Sequence, residues 1–93
     1  MKKIIWKYEL DVADEQTIKM PDGAEILSIH SKWGIPCLWA LVDPSEPMVD
    51  RLFQTFGTGH EIEYGMGSVR KYLGTYQMRE GALIFHVFEN TGI

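Results

Sequence analysis

Cys37-Leu38-Trp39-Ala40-Leu41-Val42 and Leu83-Ile84-Phe85-His86-Val87-Phe88 are apolar at almost every position. Alternate side chains of a strand point to opposite sides, so Cys37, Trp39 and Leu41 share one face and Leu38, Ala40 and Val42 the other. A sheet with one wet face carries polar residues at every second position. These stretches do not, and the pattern predicts burial on both sides. A chain of 93 residues covers one side by folding on itself. The second side calls for another layer, most economically another copy of the same chain, so a homo-oligomer is expected.

The length allows one domain, 1–93, without room for a second core. An apolar content of 45% with 12% aromatic residues fits a globular fold and excludes a disordered chain. The formal net charge of −4 argues against general nucleic-acid binding, which needs clustered Lys and Arg. A local cationic pocket for one small anion stays compatible with it. Cys37 is the single cysteine, so no disulfide forms within the chain and a cytoplasmic setting is expected. Lys7 and Glu9 interrupt the opening Met1-Lys2-Lys3-Ile4-Ile5-Trp6 before the apolar core of a signal peptide develops. No window approaches the roughly 20 apolar residues of a membrane helix, so no membrane partner is expected.

Working outward, turn signals recur at short intervals, as in an all-β domain. Ile4 to Leu10 alternates, with Trp6, Tyr8 and Leu10 opposite Lys7 and Glu9. Gln16 to Met20 is a short strand ended by Pro21-Asp22-Gly23, a turn in which proline presets φ and glycine supplies the positive value. Ala24 to Lys32 alternates, and Trp33-Gly34 closes a hairpin into the Cys37 strand. Asp43-Pro44-Ser45-Glu46-Pro47 is a loop. Arg51 to Thr58, Val69 to Met78 and Leu83 to Glu89 complete the set, with Glu61 to Ser68 irregular and Arg79-Glu80-Gly81 a hairpin turn. The expected fold is all-β and mainly antiparallel, a small sandwich or curled barrel of about seven strands. At most one short helix is expected, best placed between Pro47 and Phe53.

Gly57-Thr58-Gly59-His60 is the most unusual local string. Two glycines around a threonine let backbone N–H groups converge on an anion, with the Thr58 hydroxyl and the His60 ring as added donors. The plainer reading is a turn that needs two positive-φ residues. On the sixth strand, alternation places Arg70, Tyr72, Tyr76 and Met78 on one face and Lys71, Leu73, Thr75 and Gln77 on the other. Arg70 or Lys71 can grip a phosphate while Tyr72 stacks on a base; such residues equally serve as ordinary hairpin stabilisers. Trp33, at a turn, suits a stacking platform or an interface anchor. These eight residues, Gly57, Thr58, Gly59, His60, Arg70, Lys71, Tyr72 and Trp33, form the expected ligand site.

No catalytic residues, metal ligands or cofactors are expected. His30, His60 and His86 with Cys37 lack metal-site spacing. Cys37 lies in an apolar run where a thiol is inert, and no Gly-x-Ser-x-Gly elbow is present. His86 reads as a switch, a ligand-orienting group or a buried, hydrogen-bonded histidine.

Trp6-Lys7-Tyr8-Glu9-Leu10, Pro21-Asp22-Gly23-Ala24, Cys37 to Asp43, Gly57 to His60 and Gly81 to Glu89 occur in an order that resembles a family of small uncharacterised bacteriophage and prophage proteins. The resemblance covers nearly the whole chain. It implies a phage accessory protein in the host cytoplasm and brings no catalytic residues. Two readings follow. The first is an oligomeric, non-enzymatic binder that sequesters an anionic, nucleotide-like host defence signal. The alternative is a protein–protein interaction module that inhibits a host protein.

Overall fold

The computed structural model describes residues 1–65 and 67–92. Met66, inside the stretch read above as irregular, and Ile93, at the end of the tail, lie outside the described residues. The described residues form seven strands and no helix: β1 (Ile4–Glu9), β2 (Glu15–Pro21), β3 (Glu25–Lys32), β4 (Ile35–Val42), β5 (Met48–Gly57), β6 (Arg70–Met78) and β7 (Leu83–Asn90). A three-stranded sheet in the order β1-β4-β3 packs on a four-stranded sheet in the order β2-β5-β7-β6. All pairings are antiparallel, and the result is an all-β sandwich.

The two apolar stretches are central strands, β4 in one sheet and β7 in the other. The inner row of β4, Leu38, Ala40 and Val42, is fully buried, as are Phe53 of β5, Val87 of β7 and Met20 of β2. Each large apolar side chain so enclosed contributes about 1.5–3 kcal/mol. The outer rows differ. Cys37 is buried, but Trp39 and Leu41 are half-exposed, and on β7 Ile84, His86 and Phe88 also remain partly open. The expectation that both faces of these strands are buried therefore holds on one side only within a single chain.

The short helix expected between Pro47 and Phe53 does not form. Those residues open β5, where Val49 pairs with Met20, Arg51 with Ile18 and Phe53 with Gln16. The period-2 alternation of Val49, Arg51 and Phe53 toward the core outweighs the turn signal of the two preceding prolines.

Alternation also fails along β6, for a local reason. An extra residue, Leu73, sits between Tyr72, opposite Phe88, and Gly74, opposite Val87. Such a bulge reverses the faces of everything beyond it. Thr75 and Gln77 therefore join Arg70 and Tyr72 on the outer face, while Tyr76 turns inward and is 2% exposed. At Gly74 the absent side chain admits β3 from the other sheet: a Cβ there would stand 2.9 Å from the Ile29 Cβ.

One charged pair enters the sandwich. Arg51 donates from Nε and Nη2 to the two carboxylate oxygens of Glu89, at 2.6 and 2.8 Å, and from Nη1 to the Ala24 carbonyl. Its side chain is 18% exposed and that of Glu89 8%. The Glu89 hydrogen bond holds the Arg51 guanidinium still more firmly protonated. The hydroxyls of Tyr8 and Tyr76 are buried with no hydrogen-bond partner among the described residues. Burial raises both phenols above their ordinary value of 10.0, with the Arg51 charge partly opposing the rise at Tyr8.

The loss of Glu89 leaves a buried guanidinium uncompensated. Glu89→Ala is expected to cost about 3–5 kcal/mol in urea denaturation, whereas Arg51→Met combined with Glu89→Leu recovers most of that loss. The raised phenols set an alkaline limit. The neutral forms are the ones the fold accepts, so their contribution is complete below the unfolded-state value near 10 and falls as pH rises through the higher folded-state values. Urea midpoints measured from pH 8 to pH 12 should be level at first and decline above about pH 10, and Tyr76→Phe should flatten that decline.

Candidate functional site

The outer face of the four-stranded sheet gathers most of the chain's chemistry. β5 contributes Gln54 and Phe56, β7 contributes His86, Phe88 and Asn90, and β6 contributes Arg70, Tyr72 and, through the bulge, Thr75. Three aromatic rings form a row across these strands: Phe88 meets Phe56 edge-on at 5.8 Å and Tyr72 edge-on at 5.5 Å. Tyr72 is 54% exposed.

A chain of hydrogen bonds runs beside the row. The Thr58 hydroxyl meets His86 Nε2 at 2.6 Å, the Thr75 hydroxyl meets His86 Nδ1 at 3.0 Å, and the Tyr72 hydroxyl meets that of Thr75. Both imidazole nitrogens are thus held by hydroxyls. A general base that activates a hydroxyl nucleophile is oriented by a third group, commonly a carboxylate, on its far nitrogen. Thr75 fills that place with a hydroxyl, so the arrangement fixes the orientation of the ring.

Arg70 anchors the other end of the row. Its Nε donates to Gln54 Oε1 at 2.7 Å and its Nη1 to the Glu63 carbonyl at 2.8 Å. The guanidinium lies 5.6 Å from the Phe56 ring centroid and 4.9 Å from that of Tyr64, within cation–π range. Gln54 in turn donates to Glu15 at 2.9 Å and accepts from Asn90 at 3.3 Å. Beside Arg70 opens a cleft of about 420 Å³ floored by Gln54 and Phe56. Four acidic residues, Asp14, Glu15, Glu61 and Glu63, line it together with Arg70 and His60.

Of the eight residues expected to form one ligand site, Arg70 and His60 line this cleft, and Thr58 and Tyr72 lie along the hydroxyl–imidazole chain. The glycine-rich loop is occupied by its own fold. Thr58 N donates to the Ile84 carbonyl and His60 N to the Gly57 carbonyl, so two of the amides suited to an anion are committed. Gly59, at φ +88, supplies the left-handed turn. Gly57 makes room for the His60 ring, which a Cβ would meet at 2.9 Å. Lys71 follows Arg70 on the opposite side of β6 and is exposed.

Trp33 stands apart, at the tip of the β3–β4 hairpin in the other sheet. Trp33 at φ 55 and Gly34 at φ 78 form its two-residue turn, the geometry that favours Asn-Gly. A bulky residue at positive φ is a genuine outlier, and the Trp33 side chain is 91% exposed. Close to the tip, the hairpin is tied to β6 by a hydrogen bond from the Ser31 hydroxyl to the Gln77 carbonyl. Trp33→Asn should raise stability by about 1 kcal/mol in thermal or chemical denaturation, since asparagine tolerates this backbone region.

Sequence reasoning missed the Gln54–Glu15–Asn90 polar cluster and the Arg51–Glu89 pair. The position of Arg51 two residues before Phe53, on the same strand face, was the one available signal for the latter.

No curated protein and no solved structure matches the chain. The chain belongs to a family described as a domain of unknown function (DUF7352), which matches residues 1–92.

Proposed function

We propose that this chain is a non-enzymatic protein-binding module whose working surface is the outer face of the four-stranded sheet. The observation that carries this reading is the aromatic row Tyr72–Phe88–Phe56, held on a rigid sheet and flanked by Arg70. Tyrosine, phenylalanine and arginine are the residues that anchor protein interfaces, and charged residues are depleted at interface centres. Apart from this row, the strained Trp33 is exposed at the tip of the β3–β4 hairpin. Retention of such strain at a surface points toward function.

The sequestration of an anionic nucleotide fits the same surface less well. Arg70 and Tyr72 share a face, as that reading requires. Four carboxylates nevertheless crowd the adjoining cleft, and like charge there repels a phosphate. The same acidic rim around an aromatic centre suits a partner with a basic, apolar-centred patch. In the bacteriophage setting that the motifs imply, the partner is a host protein that the module binds and blocks in the host cytoplasm.

A tagged chain incubated with bacterial lysate should retain a stoichiometric protein. Tyr72→Ala should weaken that complex by about 2 kcal/mol or more, roughly thirtyfold in Kd, as an anchor residue does, with an unaltered circular dichroism spectrum. A thermal shift produced by a nucleotide, and abolished by Arg70→Ala, would return the nucleotide reading to first place.

A further inference from the structure

The sandwich has four edge strands, and three of them are blunted. β3 carries a bulge between Ile26 and Ser28, and β6 carries the one at Leu73. These two edges also close on each other where Ile29 meets Gly74. β2 ends on Pro21, which has no amide hydrogen to donate. β1, Ile4-Ile5-Trp6-Lys7-Tyr8-Glu9, has neither bulge nor proline and pairs with β4 alone. Ile4 and Ile5 on it are 51% and 56% exposed. A flat, regular edge of this kind is a template for another strand.

The hydrogen bonds reveal which groups are free. Leu10 N donates to the Pro36 carbonyl at 2.9 Å, in register with the Tyr8↔Leu38 and Trp6↔Ala40 pairs. Backbone direction alternates along an antiparallel strand. The even-numbered residues therefore turn their N–H and C=O groups toward β4, and Ile5, Lys7, Glu9 and Asp11 turn theirs outward. Asp11 bears this out, because its N–H and C=O are both engaged by the side chain of Gln16 on β2, at 3.0 and 2.8 Å. That contact caps the edge at one end. Among the described residues, no strand lies beside the outward groups of Ile5, Lys7 and Glu9.

We infer that β1 is the self-association edge of this protein, pairing antiparallel with β1 of a second copy about a twofold axis at Tyr8. In this register Lys7 lies opposite Glu9 of the second copy, and Glu9 opposite its Lys7. Both positions carry outward-directed backbone groups, so each Lys7–Glu9 couple exchanges two main-chain hydrogen bonds as well as opposite charges. A shift of the axis to Lys7 sets two ammonium groups face to face, which disfavours that register. An isologous contact must be self-complementary, and alternate Lys and Glu two residues apart meet that condition. The accessible surface of 6303 Å² points the same way. It exceeds the roughly 5500 Å² typical of a monomer of this mass. This inference is independent of the protein-binding face proposed above.

Charge exchange tests it. In sedimentation velocity at tens of micromolar, the wild-type chain should run as a dimer. Lys7→Glu sets Glu against Glu twice, and Glu9→Lys sets Lys against Lys twice, so each single variant should run at half the wild-type mass. An equimolar mixture of the two variants restores opposite charges at both couples and should return the dimer, as should the double exchange within one chain. A wild-type monomer, single variants that dimerise as the wild type does, or a mixture that stays monomeric would each overturn the proposal.

Discussion

The joint at Leu73 and Gly74 governs both faces of the sandwich. The extra residue changes the phase of β6, so that Tyr76 is delivered to the core and Thr75 to the surface. The neighbouring glycine then lets Ile29 of the opposite sheet approach to a distance that no other residue permits. Without the bulge, Thr75 would be pressed into an apolar layer and His86 would lose its Nδ1 partner. Packing and surface chemistry are thus set by the same two residues, an economy expected of a domain too small to separate them.

The sandwich itself was legible. The alternation of Trp6, Tyr8 and Leu10, the unbroken apolar runs of β4 and β7, and the turns at Pro21-Asp22-Gly23, Trp33-Gly34 and Arg79-Glu80-Gly81 define seven strands close to their observed limits. Two things were not. A bulge is the insertion of a single residue whose signature is indistinguishable from continued alternation, so residues beyond Leu73 were assigned to the wrong faces. The stretch between Pro47 and Phe53 reads as the best place for a short helix, although Val49, Arg51 and Phe53 already carry the strand period. The Arg51–Glu89 pair was not legible as a pair, because the cost of burying each charge is met only when they meet, and they lie on strands brought together by the fold.

The candidate site was legible in its parts and not in its assembly. Arg70, Tyr72, Thr58 and His60 were recognisable as groups able to bind something. The acidic residues of the cleft, Asp14, Glu15, Glu61 and Glu63, come from the start of β2 and from the irregular stretch after β5, to which sequence reading assigns no role in the site. Their convergence sets four acidic residues beside Arg70. The string Gly57-Thr58-Gly59-His60 likewise looked like a cradle for an anion. Two of its amides serve the chain, and its first glycine exists to seat a histidine ring.

Cys37 gives the molecule a built-in gauge of its own opening. It lies on the outer side of β4, yet is 1% exposed. Across the strand pair it faces His30, which stacks on Trp39 at 4.3 Å, two residues along. The thiol is therefore enclosed on the outer face of its sheet, beside that stacked pair, and not in the layer between the sheets. A local opening of that face exposes the thiol without separation of the sheets, so the rate of its capture by an alkylating reagent is a gauge of that face alone.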